Sequence, residues 1–136
     1  MSVGAQRVKF SEFRFERFPN SRCRAEVVLQ SPAGREFTGV AEGVGEGPAE
    51  LRAVARATVD ALEGAINAPG VFEVLGIKAI KAFDTLVLLV AMSARREDET
   101  QRLVGSYLAA EEPERGAALA VLNATNRYLG NTIFSR

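Results

Sequence analysis

Hydrophobic residues in the first half of the chain predict a β-hairpin followed by a helix. AEVVLQ at 25–30 and REFTGVAEG at 35–43 flank SPAG, whose proline and glycine are typical of a turn. From Leu51 onward, apolar residues recur at intervals of three and four, as on the buried face of a helix. We expect this helix to end at Asn67, Pro69 and Gly70.

The second half repeats the same order of elements. VFEVLGIKAIKAF, DTLVLLVAMSA and TQRLVGSYLAA predict three strands, and the charged segment RREDE forms the turn before the third. A second helix is predicted from Pro113, and Gly130 is expected to end it. Gly39 precedes Gly105 by 66 residues and Ala57 precedes Ala120 by 63, so the two halves can be aligned.

We therefore predict an α+β fold of two tandem βββα units, in which one helix packs on each antiparallel sheet and a pseudo-twofold relates the two copies. A unit that buries one face of its strands under one helix needs a partner, which a tandem copy supplies. The chain is expected to be a single domain, 1–136, with units at 8–67 and 71–130. The remaining strand of the first unit must come from VKFSEFRFERF, where the phenylalanines Phe10, Phe13, Phe15 and Phe18 do not keep one parity, as a bulge would cause.

The segment LVLLVAM at 86–92 is apolar at consecutive positions, unlike a strand with one solvated face. Both of its faces should therefore be covered. One face can pack against the helices of the same chain, and the other requires more protein. This pattern motivates the prediction of a homodimer joined through sheet surfaces.

Composition narrows the classes of function. The chain has 17 basic and 17 acidic residues, so its formal net charge is zero and no net field favours nucleic acid or an anionic membrane. It has no histidine and one cysteine, Cys23, which excludes triads and zinc sites that need histidine, and no internal disulfide can form. Arg22 and Arg24 flank Cys23 and could lower the pKa of its thiol, but without a histidine or a second cysteine we do not expect a catalytic role for it. We expect no catalytic residues, no metal and no cofactor.

Neither a signal peptide nor a membrane span is predicted. SVGAQRVKF after Met1 lacks an apolar core, and LVLLVAM is too short to cross a bilayer. The sequence therefore predicts a cytoplasmic protein that does not bind membranes.

Three segments of the chain resemble the C-terminal regulatory domain of 2-isopropylmalate synthase and citramalate synthase, the allosteric dimerisation domain of those enzymes. The segments are AEVVLQSPAGREFTGVAEGVGEGPAEL, VLGIKAIKAFDTLVLLVAMS and RLVGSYLAAEEPERGAALAVLNATNRYLG. The resemblance implies a free-standing regulatory module that dimerises and binds an amino-acid-like ligand such as leucine or isoleucine. The chain departs from the family pattern at AFDTL and at LAAEEPERG, so fold and dimerisation transfer better than leucine binding does.

The loop GEGPAEL is the candidate ligand site. Pro48 at the first helical position, preceded by Gly47, would leave helix amides free to bind a carboxylate, while Gly45 allows close approach and Glu46 could meet an ammonium group. A helix start with no ligand explains the same residues. The resemblance adds Ala79 and Ile80 on a strand as an apolar wall, although a core strand accounts for them equally well.

Three function classes remain. The first is a non-enzymatic dimerising module that binds a small molecule. The second is a structural homodimer, or one that binds an unidentified protein partner, without a ligand. Single-stranded nucleic-acid binding is a distant third, because KFSEFRFERF interleaves aromatic and basic residues but also carries Glu12 and Glu16. We therefore expect no binding of nucleic acid.

Overall fold

A computed structural model describes residues 8–109, 112–129 and 133–134 of the protein. Each half contains three antiparallel strands followed by one helix that packs on them, which confirms the predicted α+β fold of two tandem βββα units. The first unit comprises β1 (Val8–Phe18), β2 (Arg22–Gln30), β3 (Glu36–Val44) and α1 (Pro48–Ile66). The second unit comprises β4 (Phe72–Ala82), β5 (Thr85–Arg96), β6 (Glu99–Ala109) and α2 (Pro113–Tyr128).

A short seventh strand, β7 (Ile133–Phe134), was not predicted. It pairs in parallel with the start of β1, where Val8 lies opposite Ile133, so the first sheet has the order β3-β2-β1-β7 and the second β4-β5-β6. The C-terminal segment therefore returns to the first unit. Gly130, predicted to end α2, lies outside the described residues.

The predicted limits of α1 are confirmed by its caps. Pro48 begins the helix, where its missing N–H costs no hydrogen bond. Asn67 ends it in the left-handed conformation with a φ of 54°, and its amide donates to the carbonyl oxygen of Gly64 at 3.2 Å.

One close contact between strand and helix occurs in both units. A Cβ on Gly39 would collide with the carbonyl oxygen of Ala57 and lie 2.5 Å from the amide nitrogen of Ala61. A Cβ on Gly105 would meet the backbone of Ala120 and Ala124 in the same way. Glycine is therefore needed on β3 and β6, and the contact supports the alignment made from the sequence.

The two units also share a bulge in their first strands. The pairing of β1 with β2 shifts between Phe10 and Glu12, which confirms the predicted bulge. The pairing of β4 with β5 shifts at the matching place, between Val74 and Gly76. This second bulge was not predicted from the sequence.

The hydrophobic core lies between the inner faces of the sheets and the two helices. α1 packs on β2 and β3 of its own sheet and also contacts β4 and α2, while α2 packs on β5 and β6. The largest of the fully buried side chains in this core are Leu29, Leu62, Leu88, Met92 and Leu122. Burying each of them stabilises the fold by roughly 1.5–3 kcal/mol.

Candidate functional site

The loop before α1 turns sharply through two glycines. Gly45 has a φ of 118° and donates its amide to the carbonyl oxygen of Ser21 at 2.7 Å. Gly47 has a φ of 62°, which is also a conformation that L side chains rarely adopt. These contacts hold the loop against the turn that joins β1 to β2.

The first amides of α1 are less available than the sequence suggested. Pro48 has no N–H, and the amides of Glu50 and Leu51 donate to the carbonyl oxygen of Gly47 at 3.0 and 3.2 Å. Ala49 is then the one amide of the first turn that does not donate to Gly47. A ligand carboxylate would therefore find little hydrogen-bonding capacity in the backbone here.

Charged side chains beside the loop could bind a ligand where these amides cannot. A cavity of about 450 Å³ opens beside the loop, with two arginines and two glutamates in its wall. Its lining residues are Arg17, Phe18, Ser21, Arg22, Glu46, Gly47 and Glu50. Opposite charges in one small cavity suit a zwitterion better than a simple anion.

Arg17 is the most constrained charge of this cavity. Its guanidinium contacts both carboxylate oxygens of Glu50, at 2.8 and 3.1 Å, and a carboxylate oxygen of Glu114 at 2.8 Å. The hydrogen bond to Glu50 raises the pKa of Arg17 above its ordinary value, and Glu114 adds to this effect. Since Glu50 lies in the first turn of α1 and Glu114 in that of α2, Arg17 joins β1 to both helices.

The predicted site residues fall into two groups. Glu46 and Gly47 line the cavity, and Gly45 and Pro48 lie beside them in the loop. Ala79 and Ile80 are exposed on β4 and do not line this cavity. Because consecutive residues of a strand point to opposite faces, only one of these two side chains can face a given ligand. That Ala79 and Ile80 bind a ligand together with the loop stays a prediction.

Sequence reasoning missed the cationic half of the cavity, although a signal existed. After the bulge, Phe13, Phe15 and Arg17 share one parity, so an arginine follows two core-facing phenylalanines. A charged residue at an inward position needs a partner of opposite charge. That partner is Glu50, in the first turn of α1.

A second cavity, of about 460 Å³, lies between α1 and the start of β4. Its wall combines one arginine and three acidic residues with an apolar floor, and its lining residues are Arg56, Val59, Asp60, Glu63, Phe72, Glu73 and Val74. Glu63 accepts the amide of Phe72 at 2.9 Å, so this carboxylate already supports the chain reversal after α1.

Cys23 lies in an environment opposite to the predicted one. Its side chain is 1% exposed, and burial raises the pKa of its thiol instead of lowering it. The flanking arginines point away from it because they lie on the other face of β2. The prediction of a lowered thiol pKa was therefore wrong.

The outer face of the second sheet, which points away from the helices, is largely aliphatic. We call this surface the apolar face and define it by Ile80, Val87, Leu89, Ala91, Val104 and Leu108. Val104 and Leu108 are 64% and 63% exposed. The inner face of the same β5 strand is covered by α2, and no other described element packs on the outer side of LVLLVAM.

The described residues contain no group of three or more cysteines or acidic residues placed to hold a metal ion. Within the same part of the chain, neither helix has the length and apolar character that crossing a membrane requires. Comparison with protein-family models and with curated proteins found no match.

Proposed function

We propose that the protein is a non-enzymatic module that forms a homodimer through the apolar face, as the regulatory domain that it resembles would. The observation that supports this proposal is the difference between matching surfaces of the two units. At two matching positions, β3 carries Thr38 and Glu42, whereas β6 carries Val104 and Leu108. The fold is the same in both units, so it does not require this change.

A second copy of the chain is the occupant that fits this face. Two identical aliphatic faces are complementary to each other, and a twofold axis lets both be buried at once. The net charge of zero adds no long-range repulsion between copies. Packing of two sheets face to face, about 10 Å apart, is a common arrangement in proteins.

Sedimentation velocity at micromolar concentration tests the proposal. The wild type should sediment with about twice the chain mass of 14.6 kDa. Leu108→Glu installs the residue that the first unit has at the matching place and should weaken association at least about a hundredfold, because two carboxylates would lose water in the interface.

The matched control is Val40→Ser on the first sheet, which installs the counterpart of Ser106 and should leave the dimer intact. A wild type that remains monomeric up to about 100 μM would contradict the proposal, since interfaces of useful size bind more tightly. So would a Leu108→Glu variant that dimerises like the wild type.

The cavity beside the loop supports a second function, binding of an amino-acid-like ligand. Arg22 could bind the ligand carboxylate and Glu46 its ammonium group, with Phe18 as an apolar wall in place of Ala79 and Ile80. Phe18 is 44% exposed, so its ring is accessible. This arrangement uses side chains where the sequence suggested backbone amides.

Thermal unfolding with leucine, isoleucine, valine and their 2-oxo acids tests this function. At about a hundred times its dissociation constant, a ligand stabilises the folded state by about 2.7 kcal/mol, which raises the midpoint by several degrees. The 2-oxo acids lack the ammonium group and should act more weakly. If none of these compounds shifts the midpoint, the module is a homodimer without this class of ligand.

Arg22→Gln and Glu46→Gln are the appropriate variants. Each removes one charge from the cavity and should abolish the shift without disturbing the core, because both side chains are largely exposed. Substitution of Gly47 is unsuitable, since its φ of 62° would strain any side chain placed there.

A further inference from the structure

The apolar face has a regular arrangement of charges at its margins. The strand register places side chains of the outer face in rows across β4, β5 and β6. The rows are Glu73–Ser93–Arg102, Gly76–Ala91–Val104, Lys78–Leu89–Ser106 and Ile80–Val87–Leu108. Opposite charges therefore occupy the two ends of the first row.

Among the described residues, neither charge of that row has a partner of opposite charge. Glu73 and Arg102 are exposed, and neither takes part in an ion pair among the described residues. Their strands are separated by β5, which puts their backbones about 10 Å apart. Each side chain remains available to a molecule that covers the face.

Two symmetric dimers can cover this face with strands nearly aligned. If the twofold axis is parallel to β5, the β4 strand of one copy lies over the β6 strand of its partner and every row meets the same row. If the axis is perpendicular to β5, each strand lies over its own copy in reverse. The second arrangement, centred on Leu89, brings Lys78 against the partner's Lys78, and like charges in contact are destabilising.

With the axis parallel to β5, the residues that face each other across the interface are compatible in size and polarity as well as in charge. Glu73 meets the partner's Arg102, and Ile80 meets the partner's Leu108. Gly76, whose missing side chain leaves open space, meets the partner's Val104, which is the most exposed side chain of the face.

We propose that two copies of this chain dock with the twofold axis along β5, so that each Glu73 pairs with the partner's Arg102. This geometry rests on the proposed homodimer and adds its orientation. Because each contact occurs twice by symmetry, the two margins contribute four charges that select this arrangement over the reversed one.

Two charge-reversed variants test the contact between copies. Glu73→Arg and Arg102→Glu should each dimerise about tenfold or more weakly than the wild type, since each puts like charges together at both margins. Mixing the two variants should restore association to near the wild-type level, because a mixed dimer places opposite charges at both margins. Neither chain regains an internal pair on mixing, so recovery reports contact between copies.

The outcomes separate this geometry from the homodimer itself. A monomeric wild type contradicts the homodimer. A dimeric wild type whose two variants do not recover on mixing contradicts the axis along β5. Lys81→Glu, on the inner face of β4, is the matched control and should leave association unchanged in every combination.

A distance measurement gives an independent test. A spin label at Asp98→Cys sits on the turn between β5 and β6, and the native Cys23 is buried and resists labelling. An axis along β5 places both turns at the same end of the dimer, with labels roughly 10–30 Å apart. A separation beyond roughly 45 Å would show the reversed arrangement and overturn the proposal.

Discussion

At five matching positions of the outer faces, the first sheet carries charged side chains and the second carries aliphatic ones with a single exception. On the outer face of the first sheet, the register brings Arg24 between Glu16 and Glu42, and Glu26 beside Arg14. The corresponding places in the second sheet are occupied by Val87, Ile80, Leu108, Leu89 and Lys78. Lys78 is the one charged residue among these five counterparts.

The inner faces of the same sheets agree closely. Each has a glycine that the helix backbone approaches, a bulge at the matching place in its first strand, and a buried central strand. The fold is therefore specified by inner positions, where volume is fixed by packing. Outer positions do not pack on the helices, so their residues can differ between the two units without changing the fold.

Charge alternation on the first sheet is suited to water. Arg24 contacts Glu26 at 3.4 Å in a partly buried pair, and Arg22 contacts Glu42 at 3.6 Å in an exposed pair, which contributes at most about 1 kcal/mol. Their larger effect is on association, because a charged face must lose its water before another sheet can pack on it. The aliphatic face of the second sheet carries no such penalty.

The largest effect should come from the shared inner face. Gly39→Ala and Gly105→Ala each force a helix away from its strand, and each should lower the free energy of unfolding by about 3 kcal/mol or more. Urea unfolding measures both variants. If one is tolerated and the other is not, the two inner faces are not equivalent.

Gly64→Ala is the control for these variants. Gly64 lies on the exposed side of α1, and the nearest atom that a new Cβ would meet is a ring carbon of Phe37 at 3.9 Å. This change should raise stability by about 0.5–1 kcal/mol, because alanine favours a helix.

A smaller effect is expected from transferring the apolar face to the first sheet. Thr38→Val with Glu42→Leu gives β3 the residues of β6 and should allow the dimer to associate further, into tetramers or larger species. Sedimentation at about 50 μM measures this. Thr38→Ser with Glu42→Gln keeps the face polar and should leave the wild-type mass unchanged.

The smallest effect is expected from substituting the charged residues at one pair of matching inner positions, Arg17 on β1 and Lys81 on β4. Arg17→Met leaves the buried carboxylate of Glu50 without its partner and should cost about 1–2 kcal/mol of stability. Lys81→Met changes the counterpart on β4, which is exposed, and should alter stability by less than about 0.5 kcal/mol. Equal effects would show that the contact of Arg17 with the two helices adds no stability.

Much of this fold could be predicted because its signals are local. The spacing of apolar residues identified α1 and α2, and Gly39 and Gly105 aligned the halves. The bulge of β1 was visible as a change of parity, and β4 carries the same signal between Val74 and Ile77. β7 was missed because two residues are too few to show a period.

The candidate site was predicted only in part, because it is assembled from distant segments. Glu46 and Gly47 belong to a loop whose glycines and proline are visible in the sequence. Their cationic neighbours, Arg17 and Arg22, come from the far end of β1 and the start of β2. No short-range pattern indicates which carboxylate such an arginine will meet.

The order of the elements and the inward-facing positions of the helices follow from the period of the hydrophobic pattern alone. The contacts of each charge and the exposure of individual apolar residues depend on the tertiary structure. Arg17 pairs with Glu50 and Glu114 because β1 passes both helix starts. The strand register puts Ile80, Leu89 and Leu108 on one surface, although the chain separates them, because hydrogen bonding between strands fixes which residues lie side by side.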